Sequence, residues 1–473
     1  MESVSPPDRK QRLAIPPQPI PEQEPSERVR NWEEVCLGFE LGAAQIEATR
    51  CLQCPAAPCV KACPLHNNIP AALQALEVGE PQRALAVFRL TSPMPEVCGR
   101  LCPQERLCEG ACVVGRRSRP VAIGKLESFL GDFAPQPAPV SSLSPSASGR
   151  QVAVLGAGPA GLAAAARLRG AGHEVTVFDL WPHPGGLLFY GIPSFKLDKD
   201  VVRRLVGRLA DDGVKFECGP KGAPAATAIA EGGGDFDAVL LAHGAGADNQ
   251  LRIRGLDLPG VYTATEFLVR LNAPRQHLPR AMREPIGVGD TVIVLGGGDT
   301  AMDCARSAVR AGAREVVCLY RRSESEMGGR AEERIRAGEE GVRFLCHASP
   351  SQISADPAGR GLILTYQVTR TGEPDAFGQR PVISVPDSQT DLRADTVVVA
   401  VGYRVAPELA LAAGVEAAPS GTLLVGPDGG TRRPAVFAAG DCTNGPDLVV
   451  TAIASAHRAA DAIDRYLASV APR

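Results

Sequence analysis

The stretch QVAVLGAGPAGLAAAARLRGAGHEVTVFD, Gln151 to Asp179, reads as strand, glycine turn, helix and strand. Val152 to Leu155 form a short apolar run. Gly156, Gly158 and Gly161 follow at G-x-G-x-x-G spacing, with Pro159 and Ala160 opening an alanine-rich helix that runs to Ala171. The first glycine permits the tight turn, the second lets a pyrophosphate approach the backbone, and the third brings helix against sheet. The anion would rest on the N–H groups at the helix start. Glu174 to Phe178 supply the second strand, which ends at Asp179, about twenty residues onward, where a carboxylate accepts a ribose hydroxyl in such folds.

A second copy of the design begins at Thr291. TVIVL is the strand, Gly296-Gly297-Gly298-Asp299-Thr300-Ala301 the turn, a helix follows to about Arg310, and Glu315 to Tyr320 is the next strand. Two nucleotide sites in one chain imply two cofactors that meet. Asp391 to Val401, DLRADTVVVAV, has the β-branched density of a buried strand, and Val436 to Ala439 gives a shorter one before Gly440-Asp441. Return of these strands to the first sheet would make the second nucleotide domain an insertion in the first.

The chain of 473 residues suggests about three domains, and 44% hydrophobic with 22% charged residues is ordinary globular composition. A net charge of −3 gives no electrostatic footprint for nucleic acid or an anionic membrane. No run approaches a membrane span and no basic-then-apolar leader opens the chain, so a cytoplasmic location is expected.

Residues 1–30, rich in proline and mixed charge, are expected to form an extended arm. Residues 31–134 should form a small helical domain. Helix formers fill Asn31 to Arg50; Asn68, Pro70 and Gly79 mark the cap, first turn and stop of a short helix, and Pro81 to Arg89 suits another. Residues 135–149 read as a Pro/Ser/Ala linker. The remainder divides into 150–285 and 396–473 for the first nucleotide domain and 286–395 for the second.

Eight of the fourteen cysteines lie between Cys51 and Cys112, a pattern that favours metal ligation over disulfides. Cys51, Cys54, Cys59 and Cys63 follow C-x2-C-x4-C-x3-C-P, a variant of the ferredoxin run in which three thiolates bind one iron–sulfur cluster and the fourth binds another. Cys102, Cys108 and Cys112 supply the C-x5-C-x3-C expected to complete the second cluster; seven thiolates then serve eight ligand positions, and the missing ligand must be a non-cysteine residue. Paired cysteines also close zinc sites, the competing reading. Pro64, the lack of a second C-x2-C and a nearby flavin-type turn that needs an electron outlet speak for clusters. Cys98 reads as packed. Cys36, Cys218, Cys304, Cys318, Cys346 and Cys442 read as small buried hydrophobes. Glu332 to Glu340, EERIRAGEE, reads as a solvated helix face. His66 reads as a capping or packing residue, and His243 as a neighbour of the flavin region with no evident reason to be histidine.

With these motifs and the segment GGLLFYGIP, Gly185 to Pro193, the chain from about Asn31 onward resembles the family of the small (β) subunit of NADPH-dependent glutamate synthase. It is similar also to the N-terminal half of dihydropyrimidine dehydrogenase and the large subunit of NADH-dependent ferredoxin:NADP oxidoreductase. CPLHNNIP, Cys63 to Pro70, and GGGDTAMD, Gly296 to Asp303, carry the likeness.

The resemblance implies an α/β chain of two Rossmann-like domains, an NADPH domain inserted in an FAD domain, behind a helical domain with two [4Fe-4S] clusters. It places FAD on the first turn with Asp179 at the ribose, Gly185, Gly186 and Leu187 on the isoalloxazine side, and Gly440-Asp441 at the ribityl chain and pyrophosphate. A plain turn aspartate is the alternative for Asp441. The missing cluster ligand falls at Glu127, for which an exposed helix glutamate is the alternative. NADPH would sit on Gly296, Gly298, Asp299, Thr300 and Ala301. Arg321 and Arg322, where NAD-specific sites usually place an acid, can grip a 2′-phosphate.

Hydride would pass from NADPH to FAD, and electrons singly through the clusters to a partner. No protein group serves as a catalytic acid or base. The partner implied is a glutamate synthase large subunit, which would bind glutamine and 2-oxoglutarate, or another flavoprotein acceptor, in a hetero-oligomer. The rival functions are NAD(P)H:ferredoxin or sulfide/polysulfide-linked electron transfer and, from another class, a non-catalytic zinc-binding scaffold.

Overall fold

Three parts, one of them assembled from two separate stretches of chain, make up the computed structural model, which describes residues 7–133, 148–359, 361–374 and 380–471. The first sheet is parallel, in the order Val436–Ala438, Ala238–Leu241, Gln151–Leu155, Glu174–Asp179, Lys215–Cys218. Val152 to Leu155 are all buried, as expected of a parallel strand covered on both faces. Helix Pro159–Gly170 packs on this sheet and against the C-terminal helix Val449–Ser469. Its alanines let the two helices approach closely, and Ala163, Ala164, Ala456, Ala459 and Ala460 share one core.

The second sheet has the order Val261–Thr263, Thr396–Val399, Thr291–Leu295, Glu315–Leu319, Arg343–Leu345 and is also parallel. The chain leaves the first sheet after Ala238–Leu241 and re-enters it at Val436–Ala438, so one nucleotide-type unit is inserted in the other. The fold class expected from the sequence is therefore the one found.

Its internal borders differ from expectation. Thr396–Val399, assigned by sequence to the returning half of the first unit, pairs with Thr291–Leu295 in the second sheet. Val261–Thr263, assigned to 150–285, is its other neighbour. Apolar β-branched density reports burial and says nothing about which sheet supplies it. The run Asp391 to Val401 is two strands: Asp391 to Ala394 end the long strand Val382–Ala394 of an antiparallel three-stranded sheet that sequence periodicity missed. Asp395 then breaks the run, its Oδ2 accepting the N–H groups of Asp290 at 2.7 Å and Thr291 at 2.9 Å.

In the N-terminal part, helices Ile69–Glu77 and Pro81–Arg89 form where their caps and prolines place them, with Asn68 Oδ1 accepting the Ala71 N–H. Of Asn31 to Arg50, only Leu41–Thr49 is helical. Helices Pro95–Leu101 and Ile123–Phe133 pack so closely that a Cβ on Gly99 would strike the Ser128 backbone.

The arm expected to be extended is folded down over residues 7–30. Arg9–Ala14 is a helix with an Asp8/Gln11 capping box, and Arg12 binds Glu77 at 2.8 and 2.9 Å. Buried Arg28 reaches Glu339 at 2.6 Å and Glu340 at 2.8 Å. Low apolar content hid an arm that docks through guanidinium groups. The same contacts correct the reading of Glu332 to Glu340 as a solvated face, because Glu333 and Glu340 are buried against Arg306 and Arg310. The expected linker, 135–149, lies almost wholly outside the described residues. Among the described residues no helix is long and apolar enough to cross a membrane.

Candidate functional site

The eight clustered cysteines gather into two nests. Cys51, Cys54, Cys59 and Cys112 line one cavity with apolar side chains, including Ile69, Leu73 and Val121. The loop that carries them bends through left-handed conformations at Gln53, φ 48°, and Ala57, φ 38°. Burial pushes the Cys51 thiol up to about 12 and that of Cys59 up to about 11, and the neighbouring thiols add to it. Such a set gives up its protons only to a strongly cationic guest. Cys112 thus joins the first three cysteines, which corrects its expected assignment with Cys102 and Cys108 to the second cluster: sequence proximity to Cys108 does not decide which cavity its side chain lines.

The second nest holds Cys63, Cys102, Cys108 and Glu127. Glu127 is buried, not exposed, with Oε1 accepting from Asn67 Nδ2 at 3.3 Å, and its charge acts on all three thiols. Cys98 is buried, with Ser92 Oγ 3.9 Å from its Sγ, and lies near enough to Cys102 to push that thiol up. No three His, Cys, Asp or Glu side chains among the described residues converge tightly enough for a single metal ion. The four thiols of the first nest face one shared cavity, an arrangement in which thiolates can hold an iron–sulfur cluster.

Position distinguishes the nests. Cys63 and Cys102 share a core with Leu162, Leu188 and Phe189 of the first nucleotide unit. Cys108 lies in the core of the helical part, half-buried Cys51, Cys59 and Cys112 pack against that core, and Pro55 and Ala56 in the loop between Cys54 and Cys59 are exposed.

Three backbone turns converge at the start of helix Pro159–Gly170. Gly156, φ 118°, sits so close to Ala242 that a Cβ would collide with its carbonyl, while Gly158 faces open space. The Gly185 N–H donates to Ala157 O at 2.9 Å, and a Cβ on Gly186 would lie 2.8 Å from Gly158 Cα. A Cβ on Gly440 would lie 2.7 Å from Ala160 Cβ. Glycine is needed here to leave a cradle of free backbone at a helix N-terminus, the shape a dinucleotide pyrophosphate requires. Pro159 and Ala160 set the helix start, and Leu187 begins the short helix Leu187–Tyr190.

Asp179 is buried at the rim, its Oδ2 accepting the Ala157 N–H at 2.6 Å and Oδ1 the Trp181 N–H at 2.8 Å. Burial raises its carboxyl above the usual range. Each oxygen keeps a lone pair for a hydroxyl. Asp441 opens the turn Asp441–Asn444, and burial pushes it up to about 7. His243 follows Ala242, and both ring nitrogens are buried without a hydrogen-bond partner. Burial pushes it down to about 4; the nearby Ala406 backbone and Glu408 act the other way, though neither makes a bond of good geometry. Its neutral imidazole is the unsatisfied polar group beside the cradle. His66 is a turn residue, φ 52°, with Nδ1 3.3 Å from Val60 O.

The second turn repeats the geometry. A Cβ on Gly296 would collide with Ala400 O, and Gly298 caps helix Asp299–Arg310 facing open space. Asp299 Oδ1 accepts the Arg330 N–H at 2.8 Å, Thr300 lies within hydrogen-bonding reach of Tyr403, and Ala301 is buried under the turn. Arg321 is exposed, and Arg322 donates to Arg380 O at 3.1 Å with its Nε unpartnered.

The sequence reading missed the groups that join the parts. Lys196 Nζ lies 2.8 Å from Asp303 Oδ1, Arg208 pairs with Glu96 at 2.5 Å, and Arg330 reaches Gln104 at 3.1 Å and Glu105 at 3.2 Å. A charged residue within an apolar helix face, as at Asp303, was the available signal.

Residues 150–456 match the family model described as pyridine nucleotide-disulphide oxidoreductase, and residues 28–138 match that of dihydropyrimidine dehydrogenase domain II, 4Fe-4S cluster. The chain is 37% identical over 469 residues to the glutamate synthase [NADPH] small chain of Escherichia coli, covering 97% of each chain. It is 37% identical to that of Azospirillum brasilense, covering 95% and 94%. It is also 36% identical to the NADP(+)-dependent formate dehydrogenase subunit beta of Moorella thermoacetica, covering 87% of this chain and 60% of that one. Among solved structures, FprA of Mycobacterium tuberculosis in complex with NADPH aligns with TM-score 0.54 at 20% identity, over 67% of this chain and 85% of that one, a likeness of fold.

Proposed function

The chain belongs to the family of the NADPH-dependent glutamate synthase small chains, and on that premise we propose that it passes electrons from NADPH through FAD and two [4Fe-4S] clusters to a large subunit that makes glutamate from glutamine and 2-oxoglutarate. Its pyridine nucleotide oxidoreductase domain and 4Fe-4S domain make it a nucleotide-dependent flavin iron–sulfur oxidoreductase. The observation that carries the reading is the order of the sites: glycine cradle, nest packed on the cradle's own domain, nest at the surface.

The glycine cradle and Asp179 would hold the FAD pyrophosphate and ribose, with Gly440 and Asp441 closing over the ribityl side and Gly185, Gly186 and Leu187 beside the ring. Gly296, Gly298, Asp299, Thr300 and Ala301 would shape the NADPH site, and Arg321 and Arg322 would hold the 2′-phosphate. Cys51, Cys54, Cys59 and Cys112 would hold the outer cluster. Cys63, Cys102, Cys108 and Glu127 would hold the inner one, where carboxylate is a harder ligand than thiolate and shifts the potential. When bound, FAD accepts hydride from NADPH and the clusters carry its electrons onward one at a time. The protein's part is to fix the distances between cofactors, and the Lys196–Asp303 and Arg330–Glu105 contacts do this between domains.

The test is anaerobic purification with a glutamate synthase large subunit, followed by NADPH oxidation in the presence of 2-oxoglutarate with and without glutamine. Glutamine-dependent oxidation is expected. A preparation that reduces artificial acceptors yet gains nothing from glutamine would move the assignment to the second reading, electron delivery to another acceptor. That reading has one support here: a formate dehydrogenase subunit matches 87% of this chain with 60% of its own.

A further inference from the structure

The outer nest opens on a surface whose charge departs from that of the whole chain. Arg116 and Arg117 follow Cys112 at the end of the turn Val113–Arg116, and Arg119 comes two residues later. Lys61 follows Cys59 by two residues on helix Pro58–Ala62. On the other flank lie Arg9 and Lys10 of helix Arg9–Ala14.

Hydrogen bonds bring these segments together around one stretch of backbone. Arg12 Nη1 donates to the carbonyls of Thr49 at 2.8 Å and Cys51 at 3.1 Å, fixing the arm beside the first cysteine. Arg50, between those two residues, donates to Arg119 O at 2.5 Å and Pro120 O at 3.2 Å, fixing the other segment. The six cations Arg9, Lys10, Lys61, Arg116, Arg117 and Arg119 are all exposed, and among the described residues no hydrogen bond or ion pair engages their side chains. Within residues 8–12, 51–61 and 112–119 the one carboxylate is Asp8, whose Oδ1 is held by the N–H groups of Lys10 and Gln11 at 2.8 Å each. A chain of net charge −3 thus concentrates unpaired positive charge around one exposed loop.

We infer that this collar is the docking surface for the electron-accepting protein, and that the acceptor presents an acidic face around its own redox centre. The inference rests on the proposed function and adds the chemistry of the partner surface. Unpaired cations at a rim steer encounter and set orientation, an effect of about ten- to a thousandfold on association at low salt that ionic strength removes. Orientation matters because Cys54, Pro55 and Ala56 are where the outer nest comes to the surface. Dispersed cations would serve solubility equally well; their placement about this loop serves docking.

The experiment uses the intact holoprotein and two small haem proteins of opposite charge, the acidic soluble domain of cytochrome b5 and basic cytochrome c. In each case NADPH loses two electrons and leaves as NADP+ with one proton released, while two ferric haems become ferrous. Menadione, a neutral acceptor, serves as the control. At low ionic strength kcat/KM should favour cytochrome b5 by about tenfold or more, and added salt should erase the preference. K61E/R116E/R117E should invert it with iron content and menadione reduction unchanged. The milder R116Q/R117Q should reduce it several-fold and keeps the test open if the triple variant does not fold.

Equal rates with both haem proteins, a preference that survives charge reversal, or reduction of neither overturns the docking surface while menadione turnover leaves the proposed function standing. Failure of the wild-type protein to reduce even menadione would end the functional reading and the docking inference with it.

Discussion

Lys196 Nζ lies 2.8 Å from Asp303 Oδ1 and 3.6 Å from Glu333 Oε2, joining the segment after the Gly185-Gly186 turn to the helix that leaves the second glycine turn. The lysine is 12% exposed and the aspartate 5%. Burial pushes Asp303 up to about 6 while Lys196 pulls the other way, and the two carboxylates hold the ammonium charged. Removing the lysine alone leaves buried carboxylates facing each other. K196M should therefore cost about 3–5 kcal/mol, whereas K196M/D303L should recover most of the loss. Urea midpoints of the two holoproteins check this; equal losses would mean the pair does not couple the domains.

Arg321 and Arg322 stand at the end of the strand after the second glycine turn, and among the described residues no carboxylate forms an ion pair with either guanidinium, although the charge of Arg322 acts on Glu326. Their replacement by alanine should raise KM for NADPH about tenfold to a hundredfold, since hydrogen bonds to charged groups are worth about 1.5–3 kcal/mol, and leave KM for NADH nearly unchanged. A parallel rise for both nucleotides would remove these arginines from 2′-phosphate recognition.

The two nests predict separable losses of iron. C54S or C112S should abolish one cluster and leave the other, while C102S or C108S should do the reverse. Iron analysis and low-temperature EPR of the reduced protein distinguish the two. Glu127 and Cys98 compete for the eighth position, since both lie within the charge field of Cys102. E127A should lose the inner cluster, and C98A should keep it. The reverse outcome would make Cys98 the ligand and Glu127 a buried neighbour.

Much of this was legible in the chain, for reasons particular residues make plain. Gly156, Gly158, Gly161 and Gly296 declare themselves because a Cβ would collide with backbone at three of them and the fourth, Gly158, faces open space at a helix start. Helix Pro81–Arg89 lies where proline, spacing and terminal arginine put it. What stayed hidden was determined by partners far away in sequence. Thr396–Val399 gives no sign of which sheet will receive it. Glu333 and Glu340 look solvated until Arg306, Arg310 and Arg28 arrive from other elements. The gathering of Cys112 with Cys51, Cys54 and Cys59, across a long intervening segment, belongs to the same class.

Lys199 offers a test in which pH supplies the perturbation. Its ammonium nitrogen donates to Leu188 O at 3.2 Å and to Ile192 O, and burial pushes it down to about 7, against a pull upward from Asp303. Unfolded, the same amine titrates near 10.5. Between those two values the unfolded chain holds a proton that the folded chain has released, so stability must rise with pH across the window. The slope approaches about 1.4 kcal/mol per pH unit for one proton. Below pH 7 both states are protonated and the contribution is flat. K199M removes the titration while adding a constant cost for two carbonyls left without a donor, so the diagnostic is the slope and not the offset. Wild type should gain stability over K199M steadily from pH 7.5 to 9.5 in paired urea titrations of the holoproteins. Every other titrating group is common to both, so parallel curves would mean that Lys199 stays charged and finds its counter-ion in the folded protein.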